Sequence, residues 1–352
     1  MHSTKRFALV GLISTFAFLS LYQAFSSSSH PKNPKNHAVP YDNPSSSVLL
    51  SDKIDWSRYA YVQYATNLPY LCNSLMLFER LSHFSSRASR LLLYPSDFSP
   101  SSTTPEGQLL QKARDEYNAI LQPIEIQHHS SSGDKTWSDS HTKLLAYNQT
   151  QCTRLLHLDS DSTLLAHLDE LFLLPSAPAA MPRSYWEPQS PLKLSSQLLL
   201  LEPSAHEFAR MQNAIADAGP SDYDMEILNN LYRDTALVLP HKIYDLYTRE
   251  FTPHRDTGPK HEKYLGDEDA VWDPDVALRT AKFVHFSDWP LPKPWIKADD
   301  KLVEEVAPKC GFGDGGGNGT DGARDCRERD IWLGFYGDFK KRRKEVCGLD
   351  LS

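Results

Sequence analysis

The sequence has no surplus of positive charge, no closely spaced cysteine pair and no internal repeat. Its 37 lysines and arginines are outnumbered by 45 aspartates and glutamates, and this net charge of -8 argues against nucleic acid as a partner. Its five cysteines show no C-x-x-C spacing of a zinc site, and the lack of a repeat argues against a solenoid. What remains is a globular chain of 352 residues, which at about 150 residues per domain allows one or two domains.

Charged side chains are also absent from residues 7–25, FALVGLISTFAFLSLYQAF, which follow Lys5 and Arg6. This apolar run is long enough to approach a bilayer crossing. By the positive-inside rule it predicts a type II signal anchor, with residues 1–6 as a cytosolic tail and the rest of the chain in the lumen. A signal peptide cleaved near residues 24–26 is the alternative interpretation.

Further features agree with a lumenal location. Residues 26–55 are rich in serine, proline and asparagine, which is typical of a flexible stem that holds a domain away from a membrane. Sequons for N-glycosylation stand at Asn148 and Asn318. In an oxidising lumen Cys310 and Cys326 could close the Gly-rich loop between them by a disulfide, while buried free thiols remain the other possibility.

Hydrophobic patterning predicts alternating strands and helices after the stem. The predicted strands are residues 59–65, 90–94, 123–127 and 154–158. The predicted helices begin at Asn67, cover residues 108–121, begin near Thr142, and begin again at Ser204, where Glu207 completes a capping box. This regular alternation predicts an α/β fold with a mostly parallel central sheet and helices on both faces.

Two aspartates, Asp159 and Asp161, directly follow the predicted strand at 154–158. Ligands of parallel α/β sheets bind beyond the carboxyl ends of the strands, and two carboxylates placed there can share a divalent cation that bridges them to a diphosphate. A calcium loop is disfavoured because its glycine position is occupied by Leu164. A turn whose aspartates cap the next helix is the alternative that the tripeptide itself leaves open.

Three segments resemble the glycogenin-like family 8 glycosyltransferases. The segment TKLLAYNQTQCTRLLHLDSDSTLL at 142–165 is similar without a gap to the family's helix-strand-D-x-D block. The segment YVQYATNLPYLCNSLMLFERL at 61–81 resembles its first strand and uridine-binding turn, and HFSDWPLPKPW at 285–295 resembles its closing motif. The resemblance, which extends over most of residues 59–296, implies a GT-A-type domain at 56–297 that uses a UDP-sugar.

The resemblance also implies roles for particular residues. Asp159, Asp161 and His285 would bind Mn²⁺, since an imidazole beside carboxylates favours a transition metal over calcium. Lys293 would contact the diphosphate and stabilise the departing UDP, and Asp224 would lie near the reacting sugar. The nucleotide and donor sugar would further be held by Ala65, Thr66, Asn67, Tyr70, Lys143 and Ser160.

The chain departs from the glycogenin pattern in three places. The segment 195–197 replaces the family's Asn and Gly, Asp224-Met225-Glu226 replaces D-Q-G, and two extra residues stand between His285 and Lys293. With the anchor and stem, these departures resemble the fungal Golgi N-acetylglucosaminyltransferase branch. That branch implies a Golgi enzyme, anchored in the membrane, that transfers N-acetylglucosamine with retention to a mannose-containing glycan.

Two other functions remain open from the sequence. The same chemistry could use UDP-glucose or UDP-galactose, because no residue pattern identifies the acetamido group of the donor. The domain could also be a catalytically silent lumenal protein that binds glycans. Residues 298–352, which include the Gly-rich loop, are expected to form a C-terminal appendage.

Overall fold

The strands and helices below come from a computed structural model that describes residues 54–128, 138–187, 190–252, 261–267, 269–312 and 324–352. The described strands are β1 (Tyr59–Tyr64), β2 (Ser89–Pro95), β3 (Ala119–Ile124), β4 (Arg154–Leu158), β5 (Ser162–Leu164), β6 (Ala179–Pro182), β7 (Leu198–Leu201), β8 (Leu237–Leu239), β9 (Leu246–Tyr247), β10 (Phe283–His285), β11 (Gly311–Phe312) and β12 (Arg324–Asp325).

The described α-helices are α1 (Leu68–His83), α2 (Pro105–Tyr117), α3 (Ala205–Ala216), α4 (Asp224–Tyr232), α5 (His241–Tyr244), α6 (Glu262–Leu265), α7 (Pro274–Thr280), α8 (Asp300–Val306) and α9 (Arg327–Cys347). Short 3-10 helices cover Trp56–Arg58, Ser140–Asn148, Asp169–Leu173 and Thr248–Phe251. Within the described residues, no helix has both the length and the apolar character needed to cross a membrane. The predicted tail and anchor, and nearly all of the predicted stem, lie outside the described residues.

A seven-stranded sheet runs through the core in the order β3-β2-β1-β4-β7-β6-β8. Neighbouring strands are parallel except that β7 is antiparallel to both β4 and β6. A second sheet has the order β5-β10-β9 and continues directly from the chain that leaves β4. The predicted α/β fold with a mostly parallel central sheet is therefore confirmed.

Alternation along β1 and β2 explains how helices cover both faces of this sheet. Tyr61 and Leu92 face a core that includes the buried sides of α1 and α2. Val62 and Leu93 face the opposite core, which includes α3 and α4. Because side chains of a strand alternate between faces, two buried faces require the almost continuous apolar runs that these strands show.

Helix α1 begins where the sequence predicts it. The Asn67 side chain accepts a hydrogen bond from the Tyr70 backbone N–H at 3.2 Å and so caps the helix. Pro69 lies in the first turn, where its missing N–H costs nothing. The apolar residues that follow, such as Leu71 and Phe78, are completely buried against the sheet.

The predicted boundary between the helix at 108–121 and the strand at 123–127 was wrong. Helix α2 ends at Tyr117, and β3 already begins at Ala119. Asn118 ends the helix because it adopts the left-handed conformation, with φ at 52°, which asparagine tolerates better than most residues. The three apolar residues that follow it, residues 119–121, fit the helical pattern and so concealed the change to a strand.

The described part of the C-terminal segment packs into the same compact unit as the sheet, so the expected appendage after residue 297 is not seen there. Trp332 of α9 is fully buried in the core. A disulfide joins Cys72 of α1 to Cys347 of α9. A second disulfide joins Cys310 to Cys326, while Cys152 is a buried free thiol. The Gly-rich loop itself lies mostly outside the described residues.

Candidate functional site

The acidic pair lies at the corner where the two sheets meet. Asp159 directly follows β4, and its backbone N–H donates to the Gln197 carbonyl at 2.8 Å, which extends the pairing of β4 with β7 by one residue. Asp161 directly precedes β5, and its carbonyl accepts from the Phe286 N–H at 2.9 Å. Both aspartates are thus fixed through their backbones, which favours a built site over a simple helix-capping turn.

Asp159, Asp161 and His285 come together as a candidate metal centre. Each offers one ligand atom, and these atoms all lie within 4.8 Å of one another. Pairing of β10 with β5 places His285 opposite Ser162, and the His285 Nε2 lies 3.1 Å from Asp161 Oδ1. Two carboxylates and one imidazole fit a divalent transition metal such as Mn²⁺.

Lys293 completes the surroundings of Asp161. Its Nζ lies 2.5 Å from Asp161 Oδ2, the oxygen that His285 does not contact. Burial opposes the charge of both partners, yet Asp161 raises the pKa of Lys293 above its ordinary value. In return, His285 and Lys293 outweigh burial and hold the pKa of Asp161 well below its usual range. Asp161 is therefore an ionised carboxylate at neutral pH.

Lys143 is a buried cation that holds two carboxylates together. Its Nζ lies 2.7 Å from Asp159 Oδ1 and 2.6 Å from Asp224 Oδ2. Burial disfavours the ammonium, but first Asp159 and then Asp224 overcome it and raise the pKa of Lys143. Asp224 also accepts a hydrogen bond from the Ser196 hydroxyl at 2.7 Å. Lys143 thereby fixes Asp224 beside the metal cluster.

The predicted turn residues lie at the same edge of the sheet, immediately after β1. Ala65 is completely buried and donates its N–H to the Leu93 carbonyl at 2.9 Å. Thr66 is half-buried, whereas Asn67 is exposed and its side chain is engaged in capping α1. Ser160 is half-buried between the two aspartates.

Tyr70 is the turn residue with the clearest link to the metal cluster. Its ring packs edge-to-face on Trp295, with centroids 5.0 Å apart. Burial, followed by the charge of Asp161, raises the pKa of Tyr70 to about 12. The hydroxyl therefore stays protonated and can donate a hydrogen bond at neutral pH.

The structure adds residues that the sequence did not single out. Burial, then Asp159 and Asp224, raises the pKa of Tyr64 well above its ordinary value, so this phenol lies beside the acidic cluster. Ser196 contacts Asp224 although the segment 195–197 departs from the family pattern. Tyr64 ends β1 and Ser196 precedes β7, and both strands neighbour β4 in the sheet. Knowledge of this strand order would have indicated that Tyr64 and Ser196 lie near the acidic pair.

Comparison with known proteins finds two close fungal relatives. The chain is 52% identical over 302 residues to glucose N-acetyltransferase 1 of Gibberella zeae, with 84% of this chain and 63% of the relative covered. It is 45% identical over 311 residues to glucose N-acetyltransferase 1 of Aspergillus fumigatus, with 84% and 78% covered. The chain thus spans less than two thirds of the Gibberella zeae relative. No protein-family model matches the chain.

Among solved structures, the fold resembles that of the apo bifunctional glycosyltransferase WbbM. The TM-score is 0.52 at 13% sequence identity, with 84% of this chain and 50% of that chain covered, and at this identity the similarity concerns the fold alone. The predicted fungal branch is confirmed by the two fungal relatives, and the predicted GT-A-type fold by the similarity to WbbM. The chain belongs to the glucose N-acetyltransferase 1 family.

Proposed function

We propose that the protein is a retaining, Mn²⁺-dependent glycosyltransferase that transfers N-acetylglucosamine from UDP-N-acetylglucosamine to a mannose-containing glycan. The observation that carries this proposal is the convergence of Asp159, Asp161 and His285 with the Lys293 cation at the end of β4. A metal centre next to a long cationic side chain suits a diphosphate, because the negative charge of the diphosphate needs positively charged partners.

The proposed donor site divides the work among a few side chains. Asp159, Asp161 and His285 would hold Mn²⁺, which when bound neutralises charge on the diphosphate. Lys293 would bind a phosphate oxygen and stabilise the UDP as it leaves. Lys143 keeps Asp159 in place, and the turn after β1 would receive the nucleotide.

Asp224 would act by electrostatics. Its carboxylate is shared between Lys143 and Ser196, and this engagement favours stabilisation of positive charge on the sugar, or orientation of the acceptor, over direct attack. The departing phosphate would itself take the proton of the acceptor hydroxyl, so no separate strong base is required for retention.

The location of the enzyme is part of the same proposal. Residues 7–25 would anchor it in the Golgi membrane as a type II protein with a lumenal catalytic domain. The two disulfides of the described chain support an oxidising compartment, because such bonds are rare in proteins of the cytosol.

A donor screen tests the proposal. The purified protein is assayed with UDP-N-acetylglucosamine, UDP-glucose and UDP-galactose, each with Mn²⁺ and with a chelator, and the anomeric configuration of the product is read by NMR. Metal-dependent turnover of UDP-N-acetylglucosamine with retention is expected. Preference for another UDP-sugar would correct the donor, and turnover of none would favour a silent glycan-binding protein.

Two additions sharpen this screen. The names of the relatives, taken literally, describe transfer of an acetyl group to glucose, so acetyl-coenzyme A with glucose is assayed in parallel and is expected to give no product. Asp161→Asn should lower sugar transfer by at least about 100-fold, because it removes a charged metal ligand. Asp115→Asn, on the exposed face of α2, is the matched control and should retain full activity.

A further inference from the structure

Asp245 is a buried carboxylate for which the site described above has no use. It stands between α5 and β9 and is completely inaccessible to solvent. Neither of its oxygens has a hydrogen-bond partner at normal distance within the described residues. Because an unpaired carboxylate is costly to bury, a side chain of this kind needs a donor close by.

His285 has the complementary deficiency. Its Nε2 faces Asp161 Oδ1 at 3.1 Å, on the side of the proposed metal. Its Nδ1 is buried and likewise has no partner within the described chain. A neutral imidazole carries one proton, so coordination through Nε2 leaves that proton on Nδ1, where it must be donated to an acceptor.

The fold brings these two groups together. Strand β9, which begins directly after Asp245, pairs in parallel with β10, and Tyr247 lies opposite His285 in this pairing. The ring centroids of Tyr247 and His285 are 5.4 Å apart. Burial raises the pKa of Asp245 to about 7, and the neighbouring His285, followed by the Ser195 hydroxyl, opposes that rise.

We propose that Asp245 is a positioning residue that accepts a hydrogen bond from His285 Nδ1 when the metal site is occupied. The bond selects the tautomer whose bare Nε2 can coordinate a metal that it shares with Asp161, and it holds the imidazole ring in the orientation that a metal ligand requires. Carboxylates behind metal-bound histidines commonly have this role, and losing one typically weakens metal binding by about 10- to 100-fold. The inference rests on the metal site of the proposed function, not on the identity of the donor or acceptor.

The first test reads the histidine directly. In the full-length protein labelled with ¹⁵N-histidine and saturated with Zn²⁺ as a diamagnetic stand-in for Mn²⁺, the His285 signal, assigned with His285→Gln, should report a proton on Nδ1 and a metal-coordinated Nε2. Asp245→Asn should give a mixture of tautomers. A wild-type His285 that carries its proton on Nε2 would overturn the proposal without any need for the variant to fold.

The second test measures binding of Mn²⁺ alone by electron paramagnetic resonance. Asp245→Asn is expected to bind Mn²⁺ about 10- to 100-fold more weakly than wild type. Asp169→Asn is the matched control, since Asp169 is also a buried carboxylate and accepts from Tyr61 and Ser86 outside the site. This control should lose stability but keep its affinity for Mn²⁺.

The outcomes separate this inference from the proposed function. Unchanged Mn²⁺ affinity and an unchanged His285 tautomer in Asp245→Asn would show that Asp245 does not position the ligand. A wild-type protein that binds Mn²⁺ with the expected tautomer but transfers no sugar would contradict the proposed function alone.

Discussion

Cys347 in the last turn of α9 is bonded to Cys72 in α1, although the two residues are 275 positions apart in the sequence. Helix α9 also contacts the segments that carry the metal site. Arg342 donates to the Thr163 hydroxyl at 2.8 Å, and Tyr336 donates to Asp288 at 2.8 Å. The C-terminal helix therefore packs against the segments of the site, and a disulfide fixes its last turn to α1.

This bond should contribute strongly to stability. A disulfide that closes a long loop restricts the unfolded chain, and its removal typically costs about 2–4 kcal/mol. Replacing Cys72 and Cys347 by serine should therefore lower the free energy of unfolding in urea by about that amount. The second disulfide closes only 16 residues, so replacing Cys310 and Cys326 should cost less. Equal losses for the two pairs would contradict the loop argument.

Lys143→Met should destabilise the protein far more than an ordinary lysine substitution. The change leaves Asp159 and Asp224 close together with no cation between them, and breaking a buried ion pair costs about 3–5 kcal/mol. Combining it with Asp224→Asn removes one of the stranded charges. The double variant should lose less stability than the sum of the single changes, as measured by urea unfolding. Strict additivity would show that the charges do not interact.

Asp288 should make stability depend on pH. Burial raises its pKa above the ordinary value, although hydrogen bonds from Thr248 and Tyr336 oppose the shift. The native state then binds more protons than the unfolded state between about pH 4 and the raised pKa, so the free energy of unfolding falls as pH rises through this window.

The measurement compares wild type with Asp288→Asn by urea unfolding at several pH values. The asparagine cannot titrate, so the variant should lose this part of the pH dependence, and the difference in stability between the two proteins should change steadily across the window. A constant difference would mean that the native and unfolded pKa values of Asp288 are the same.

We expect Trp289 to bind a sugar ring of the acceptor. It is 81% exposed in the segment that begins at His285 and ends at Lys293, and both of these residues contact Asp161. An exposed indole offers a flat apolar face with a polar edge, which suits a sugar ring. Trp289→Ala should raise KM for the acceptor severalfold and leave KM for the UDP-sugar unchanged. Val271→Ala, at a residue 87% exposed in another segment, is the control and should change neither.

Local patterns predicted the elements that form the floor of the site. Strand β4 has the predicted bounds because an uninterrupted apolar run marks a strand buried on both faces. The start of α1 was equally clear from Asn67 and Pro69. The pairing of Asp161 with Lys293 spans 132 residues, and no periodicity connects positions so far apart. Only the resemblance to a known family suggested that they meet.

The remaining features depend on packing that the sequence does not display. No sequence motif includes Asp245, and only its complete burial beside His285 indicates a role for it. The sequence predicts only an appendage for helix α9, because the many charged residues of the helix conceal its buried apolar ones. Arg342 and Arg343 resemble surface cations in sequence, yet both are buried; Arg342 donates to the Thr163 hydroxyl and Arg343 to the Asn73 side chain.

The contact of Lys293 with Asp161 couples the binding of the metal to the binding of the UDP-sugar. A cation that binds Asp161 takes over the neutralising role of the ammonium, and Lys293 then becomes available to a phosphate oxygen. Whichever ligand binds first separates Lys293 from Asp161, so the second ligand no longer has to break that ion pair. We therefore expect the metal and the UDP-sugar to bind cooperatively. Thermodynamic reciprocity requires that the donor tighten the metal by the same factor by which the metal tightens the donor.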